Sequence, residues 1–279
     1  IMKIKLKYTS FLFALVLLVS CGRSTGDLGG LNDLLPNYVH NRLLSKVHVQ
    51  KTSAAPYDVH YMYAGSRLMS VTKGNNQVVE TIEYDGNQIK KITKKDNTLS
   101  QPLIITSELQ YNGAQVAGIS GTVSQSGVIL ETFATEIVYN GDQPAIITTA
   151  YYLPGNTSAT RTLKSELSYS GFNISKWVYT IDDASIPGSP VVTTTNYSDY
   201  DTHQNPFRTL PVPLILSNVH HEGHLVGISA LSISNYKTMT VQSSAGSHTE
   251  NVVLTYNSEG FLETSKQADT TLHFEYIPF

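Results

Sequence analysis

Cysteine is all but missing: Cys21 stands alone in 279 residues, which excludes a disulfide framework and leaves packing to hold the core. Charge is also scarce, at 15% of the chain, and there is a single tryptophan. The longest apolar run, over 11–19, is far too short to cross a bilayer as a helix, which takes about 20 residues. Paired catalytic motifs are missing as well. Gly118-Ile119-Ser120-Gly121 and Gly227-Ile228-Ser229-Ala230 both fall short of the Gly-x-Ser-x-Gly elbow. Asp182-Asp183 are adjacent, so in a strand they would point to opposite faces, and they suit a polar turn better than acid–base work. An enzyme is therefore not expected.

What is present begins with an export signature. Lys3, Lys5 and Lys7 precede the apolar run, with no acid among the first twenty residues, the layout of a secretory signal peptide over 1–20. Leu18-Val19-Ser20-Cys21-Gly22 resembles the lipobox of bacterial lipoproteins, whose cysteine is acylated and becomes the new N-terminus. The resemblance implies a palmitate-type lipid on Cys21, a Gram-negative outer-membrane address with either face open, and attachment to the membrane through that lipid. Residues 21–42 then read as lipidated cysteine and flexible tether, through Gly22-Arg23-Ser24-Thr25-Gly26-Asp27 and Gly29-Gly30. Residues 43–279 read as a single domain. Without 1–20 the chain keeps 16 basic and 22 acidic residues, a formal charge of −6. So acidic a chain is a poor match for nucleic acid, which is held chiefly through its phosphates.

The mature part is rich in Thr, Ser, Tyr, Val and Ile, which favour strands. Aligning the tyrosines exposes a repeat, apolar-x-Tyr-x-Gly-x-x-apolar-x-x-apolar. Its clear copies centre on Tyr84-Asp85-Gly86, Tyr111-Asn112-Gly113, Tyr139-Asn140-Gly141 and Tyr169-Ser170-Gly171, with tyrosines 27, 28 and 30 residues apart. Weaker copies include Tyr63-Ala64-Gly65, a stretch over 221–228 that has lost its tyrosine, Tyr256 with Gly260, and Tyr276 on the strand half alone. Asp-Gly and Asn-Gly close tight hairpins. The apolar residue two before each tyrosine shares its face, so that face is the expected core. The two apolar positions after the turn are three apart, which demands a β-bulge if both are to point inward. Seven or so units give about 14–16 antiparallel strands in an up-and-down meander, long enough that it must curl strongly or close into a barrel.

The Tyr-Asp-x-x-Gly unit resembles the YD-type repeats of large bacterial surface and toxin shells, best matched at 256–262 and 221–228. The whole arrangement more closely resembles a family of bacterial envelope lipoproteins of unknown function with a porin-like barrel fold. Its most specific match is Tyr200-Asp201-Thr202-His203-Gln204-Asn205-Pro206-Phe207. The resemblance implies the fold over 43–279 and no activity. Porin-like does not imply a pore. A transmembrane barrel needs an apolar band on every strand, whereas the stretches 90–95 and 120–126 are polar, so a soluble barrel is expected.

Two candidate sites stand out. His220, His221 and His224 surround Glu222-Gly223 and could hold a metal, although the spacing is not that of a His-Glu-x-x-His helix. The plainer reading is a polar hairpin tip, and apart from the lipid on Cys21 no cofactor is expected. Tyr151, Tyr152, Trp177 and Tyr179 could form a stacking platform for a glycan, against the plainer reading of packed strand aromatics. The segment 198–218, broken by Pro206, Pro211 and Pro213, is long for a hairpin loop and would plug or cap the barrel if it docked at the mouth. The functional expectation is a non-catalytic envelope lipoprotein, structural or binding, with envelope proteins or glycans as partners. The alternatives are a glycan binder and a metal-dependent protein.

Overall fold

The computed structural model describes residues 42–221 and 227–279. Cys21, the signal segment and the tether lie outside the described residues, as do Glu222, Gly223 and His224. The strands run β1 Arg42–Lys51, β2 Ala54–Ala64, β3 Arg67–Lys73, β4 Val78–Asp85, β5 Gln88–Asp96 and β6 Leu103–Asn112. Next come β7 Gln115–Gln125, β8 Val128–Asn140, β9 Gln143–Tyr152, β10 Arg161–Ser170, β11 Asn173–Asp183 and β12 Val191–Ser198. After an insertion follow β13 Thr238–Ser243, β14 Gly246–Tyr256, β15 Leu262–Gln267 and β16 Thr270–Pro278. Each pairs antiparallel with its neighbours in the chain, and β1 pairs with β16 to close the barrel. The expected meander is thus an all-β barrel of sixteen strands with no free edge, which removes the usual hazard of unpaired backbone.

Alternation turns one face of each strand inward. On β4, Val78, Glu80 and Ile82 are buried while Thr81, Glu83 and Asp85 are exposed. The repeat carries the bulge its spacing demands. Tyr84 pairs with Ile89 and Glu83 with Lys91, so Lys90 is the extra residue. Ile89 and Ile92 are consequently both 2% exposed. The same shift recurs beside Tyr63, Tyr111, Tyr139, Tyr169 and Tyr256. The tight turns place Gly86 at φ +57° and Gly113 at φ +63°, in the left-handed region that glycine enters without steric cost.

The tyrosines have a second task, which pattern alone does not reveal. Each hydroxyl donates to a backbone carbonyl at the bulge of an earlier unit: Tyr84 to Leu68 (2.8 Å), Tyr111 to Ile89 (2.8 Å), Tyr139 to Val116 (3.1 Å) and Tyr169 to Pro144 (2.9 Å). Tyr63 reaches Leu44 (2.9 Å) and Tyr276 reaches Leu262 (2.9 Å) in the same way. A bulge interrupts the ladder, and these bonds supply partners where it does. At the turns, Gln88, Gln115 and Gln143 each bond the glycine carbonyl of the next unit, at Gly113, Gly141 and Gly171. Tyr200 takes the sixth place along the chain, donating to Ile174 at 2.6 Å. It is the tyrosine that the repeat seemed to have lost near 220. Of the stretch matched at 221–228, residues 222–226 lie outside the described residues, and the rest belongs to the insertion, where Ile228–Leu231 forms a 3-10 turn.

The insertion between β12 and β13 fills the bore. Asn205 caps a 3-10 turn, Pro206–Thr209, by accepting from Phe207 N, and a short helix α1 (Val212–Asn218) follows. Leu210, Leu214, Ile215, Leu216, Ile228 and Leu231 are buried in one cluster with inward strand residues. Polar ties reach opposite walls. Leu44 N on β1 donates to Thr209 Oγ1 (3.3 Å), and Asn218 Nδ2 donates to Glu80 Oε2 on β4 (3.2 Å). Across the ring, Ser232 Oγ accepts from Ile174 N on β11 (3.0 Å) and Asn173 Oδ1 accepts from Ser234 N (2.9 Å). The plug expected from 198–218 is therefore present, and Ile228, Ala230 and Leu231 share its core.

The outer wall is polar along some strands, whereas Met62, Val138, Val192 and Val253 are exposed apolar residues on others. Outward positions are Thr93 and Lys95 on β5, Thr106, Glu108 and Gln110 on β6, and Thr162, Lys164, Glu166 and Ser168 on β10. A lipid-facing barrel carries an unbroken apolar band at such positions, and none runs along these strands.

Candidate functional site

Both sequence-derived sites meet inside the barrel. β9 turns Tyr151 inward and Tyr152 outward, so alternation splits the expected tyrosine pair. β11 brings Trp177 and Tyr179 to the same inner face, ring centroids 5.4 Å apart and planes tilted by 40°. Against this wall lies the chain just after α1, where His220 is buried and its ring stands 5.8 Å from that of Tyr179. The polar hairpin tip expected around His220 is corrected: the residue is drawn into the bore because α1 precedes it and packs there.

Both nitrogens of His220 are occupied. Nδ1 lies 2.7 Å from Thr149 Oγ1, and Nε2 lies 2.9 Å from Ser165 Oγ. Ser165 also accepts from Trp177 Nε1 (3.0 Å) and retains its own proton and a second lone pair for Nε2. On the other side, the Thr149 hydroxyl stands 2.8 Å from Thr135 Oγ1. Burial pushes the His220 imidazole down to about 3, so it is neutral at physiological pH.

His221 turns elsewhere. Its ring meets Phe133 edge-on at 4.8 Å, and Nδ1 is 3.3 Å from the Tyr151 hydroxyl, which also lies 3.0 Å from the His220 carbonyl. The Arg161 guanidinium lies 4.1 Å above the Tyr151 ring and bonds Glu131 at 3.3 Å. The two described histidines thus serve different partners. Among the described residues no group of three or more His, Cys, Asp or Glu is arranged to hold a metal. His203 of the insertion stacks on Tyr256 of β14 (3.9 Å), and His248 bonds Glu250 on its own strand (3.1 Å). Asp183 ends β11 and accepts from Ser185 N of the following turn at 2.8 Å.

The segment Tyr200 to Phe207 forms the plug's root. Asp201 accepts from His203 N and Asn235 N (both 3.1 Å), and also from the Tyr256 hydroxyl. Tyr256 has no preceding repeat carbonyl to meet, and the Asp201 carboxylate takes that carbonyl's place. Sequence reasoning missed this role, although the Tyr200-Asp201 pair was its signal.

Comparison with known proteins shows a likeness of fold. No family profile matches the chain, and no curated protein matches it. Among solved structures, it resembles a porin-like protein from Bacteroides vulgatus ATCC 8482, with a TM-score of 0.58 at 11% identity. The match covers 86% of this chain and all of the other. The class this supports is a porin-like sixteen-strand β-barrel, a fold compatible with a place in the bacterial envelope.

Proposed function

We propose that the protein is a lipid-anchored, non-catalytic envelope protein, held to the outer membrane through Cys21, whose plugged barrel is a rigid body in water. The observation that carries this reading is the insertion 199–237. Its apolar core and its bonds to β1, β4 and β11 occupy the bore that a conducting porin keeps open. The polar outward rows on β5, β6 and β10 support a wall facing water, so the anchor rather than the wall would hold the membrane. The test is fractionation with palmitate labelling. Wild type should label and sediment with outer membranes, and Cys21→Ser should lose label and become soluble. A Cys21→Ser protein that stayed integral to the membrane would overturn both the anchor and the water-facing wall.

A second reading, a glycan bound against the inner wall, is favoured by Trp177 and Tyr179. Both are half-buried on the inner face of β11 with their rings 5.4 Å apart, and aromatic rings of this kind stack on a pyranose. A thermal-unfolding screen against oligosaccharides tests it: a rise that Tyr179→Ala removes supports the site, and an unchanged melt across the panel ends it.

A further inference from the structure

We propose a divalent transition-metal site on the outer wall, at the seam where the barrel closes, ligated by His48 of β1 and His273 of β16 and oriented by Asp58 of β2. These residues form one lateral row: His48 lies directly opposite His273 across β1–β16 and directly opposite Asp58 across β1–β2. The row faces outward, since the flanking Val47, Val49 and Phe274 are buried. The two imidazole centroids are 6.0 Å apart. A tetrahedral ion with metal–nitrogen bonds of about 2.1 Å would bring them to about 5 Å, within reach of small side-chain rotations.

Asp58 supplies an independent pointer. Its Oδ1 is 2.6 Å from His48 Nδ1. An Nδ1–H donating to a carboxylate leaves the Nε2 lone pair free, which is how metal-bound histidines are commonly set. Glu275, two residues along β16, is held by Lys46 at 2.7 Å and stays outside the ligand set. His60 Nε2 lies 3.9 Å from the other Asp58 oxygen and carries no ligand role. Two imidazoles with water in the remaining positions suit zinc, and copper(II) more tightly. Such an ion would clasp the first strand of the barrel to the last.

Zn2+ titrated into the purified protein, followed by calorimetry and thermal unfolding, tests the site. One ion per chain should bind, with a melting rise that EDTA reverses. His48→Ala and His273→Ala should each lose the saturable heat while melting like wild type without zinc. Asp58→Asn should weaken binding by about 10–100-fold. His60→Ala and His221→Ala should bind as wild type does, which separates this row from the turn inside the bore. One-to-one binding that persists in the His48→Ala/His273→Ala double variant would overturn the assignment, as would no saturable binding at millimolar zinc.

Discussion

Tyr111 spans two units: its ring packs on the inner face while its hydroxyl closes the bulge at Ile89. Burial pushes its phenol up to about 12, as it does at Tyr139 and Tyr200, so these groups stay protonated donors at any physiological pH. Tyr111→Phe keeps the packing and removes the donor. It should cost about 1 kcal/mol, read as a lower urea midpoint with an unchanged slope. His220 behaves differently because its burial favours the neutral form. Its folded pKa, about 3, lies below the unfolded value, so the unfolded chain binds the extra proton first. Its contribution is whole above about pH 6.5 and is lost at about 1.4 kcal/mol per unit as pH falls toward 3. The urea midpoint of wild type should therefore drop from pH 7 to pH 5, and His220→Gln should flatten that drop. An unchanged slope in the variant would assign the drop to other groups.

At the scale of the element, the recurrent unit is a bulged hairpin with a fixed count of residues. Much of this was legible, because turn chemistry and period are local: the Tyr–Gly spacing, the inward face and the need for a bulge all follow from residues a few positions apart. The partner of each hydroxyl was not legible, since Tyr111 and Ile89 are 22 residues apart and meet only when β5 and β6 pair. Tyr200 was hidden for another reason: the chain after it enters the plug and offers no glycine turn. Deleting Lys90 removes the extra residue and would turn either Ile89 or the strand beyond it to the wrong face. Such a flip should cost several kcal/mol, visible as loss of the cooperative melt. Glycines sort by environment. Gly86→Ala meets open space and should cost about 1 kcal/mol for its positive φ. A Cβ at Gly121 would run into the Thr106 carbonyl and the Phe133 ring, so Gly121→Ala should cost clearly more. Equal melting of the two variants would sink that ordering.

At the scale of the whole molecule, barrel and insertion share one core. Length and prolines marked 198–218 as exceptional, but the residues it would touch belong to strands far away in the chain, so its seat in the bore came only from the structure. Replacing 199–237 with a two-residue Asn-Gly turn would strip the inward faces of β1, β9 and β11 of their packing partners. The shortened chain should lose its cooperative unfolding transition. A shortened chain that melted like wild type would show the plug to be a passenger.

The seam has a consequence for how the barrel is made. Ser45 on β1 bonds Glu275 on β16, a contact spanning 230 residues. While such a chain emerges from its N-terminus during synthesis, β1 is available long before its closing partner, and its outer edge must wait unpaired. Closure then waits for the last strand, so the slow step in folding falls at the end, when a chaperone shielding the open edges has most to protect.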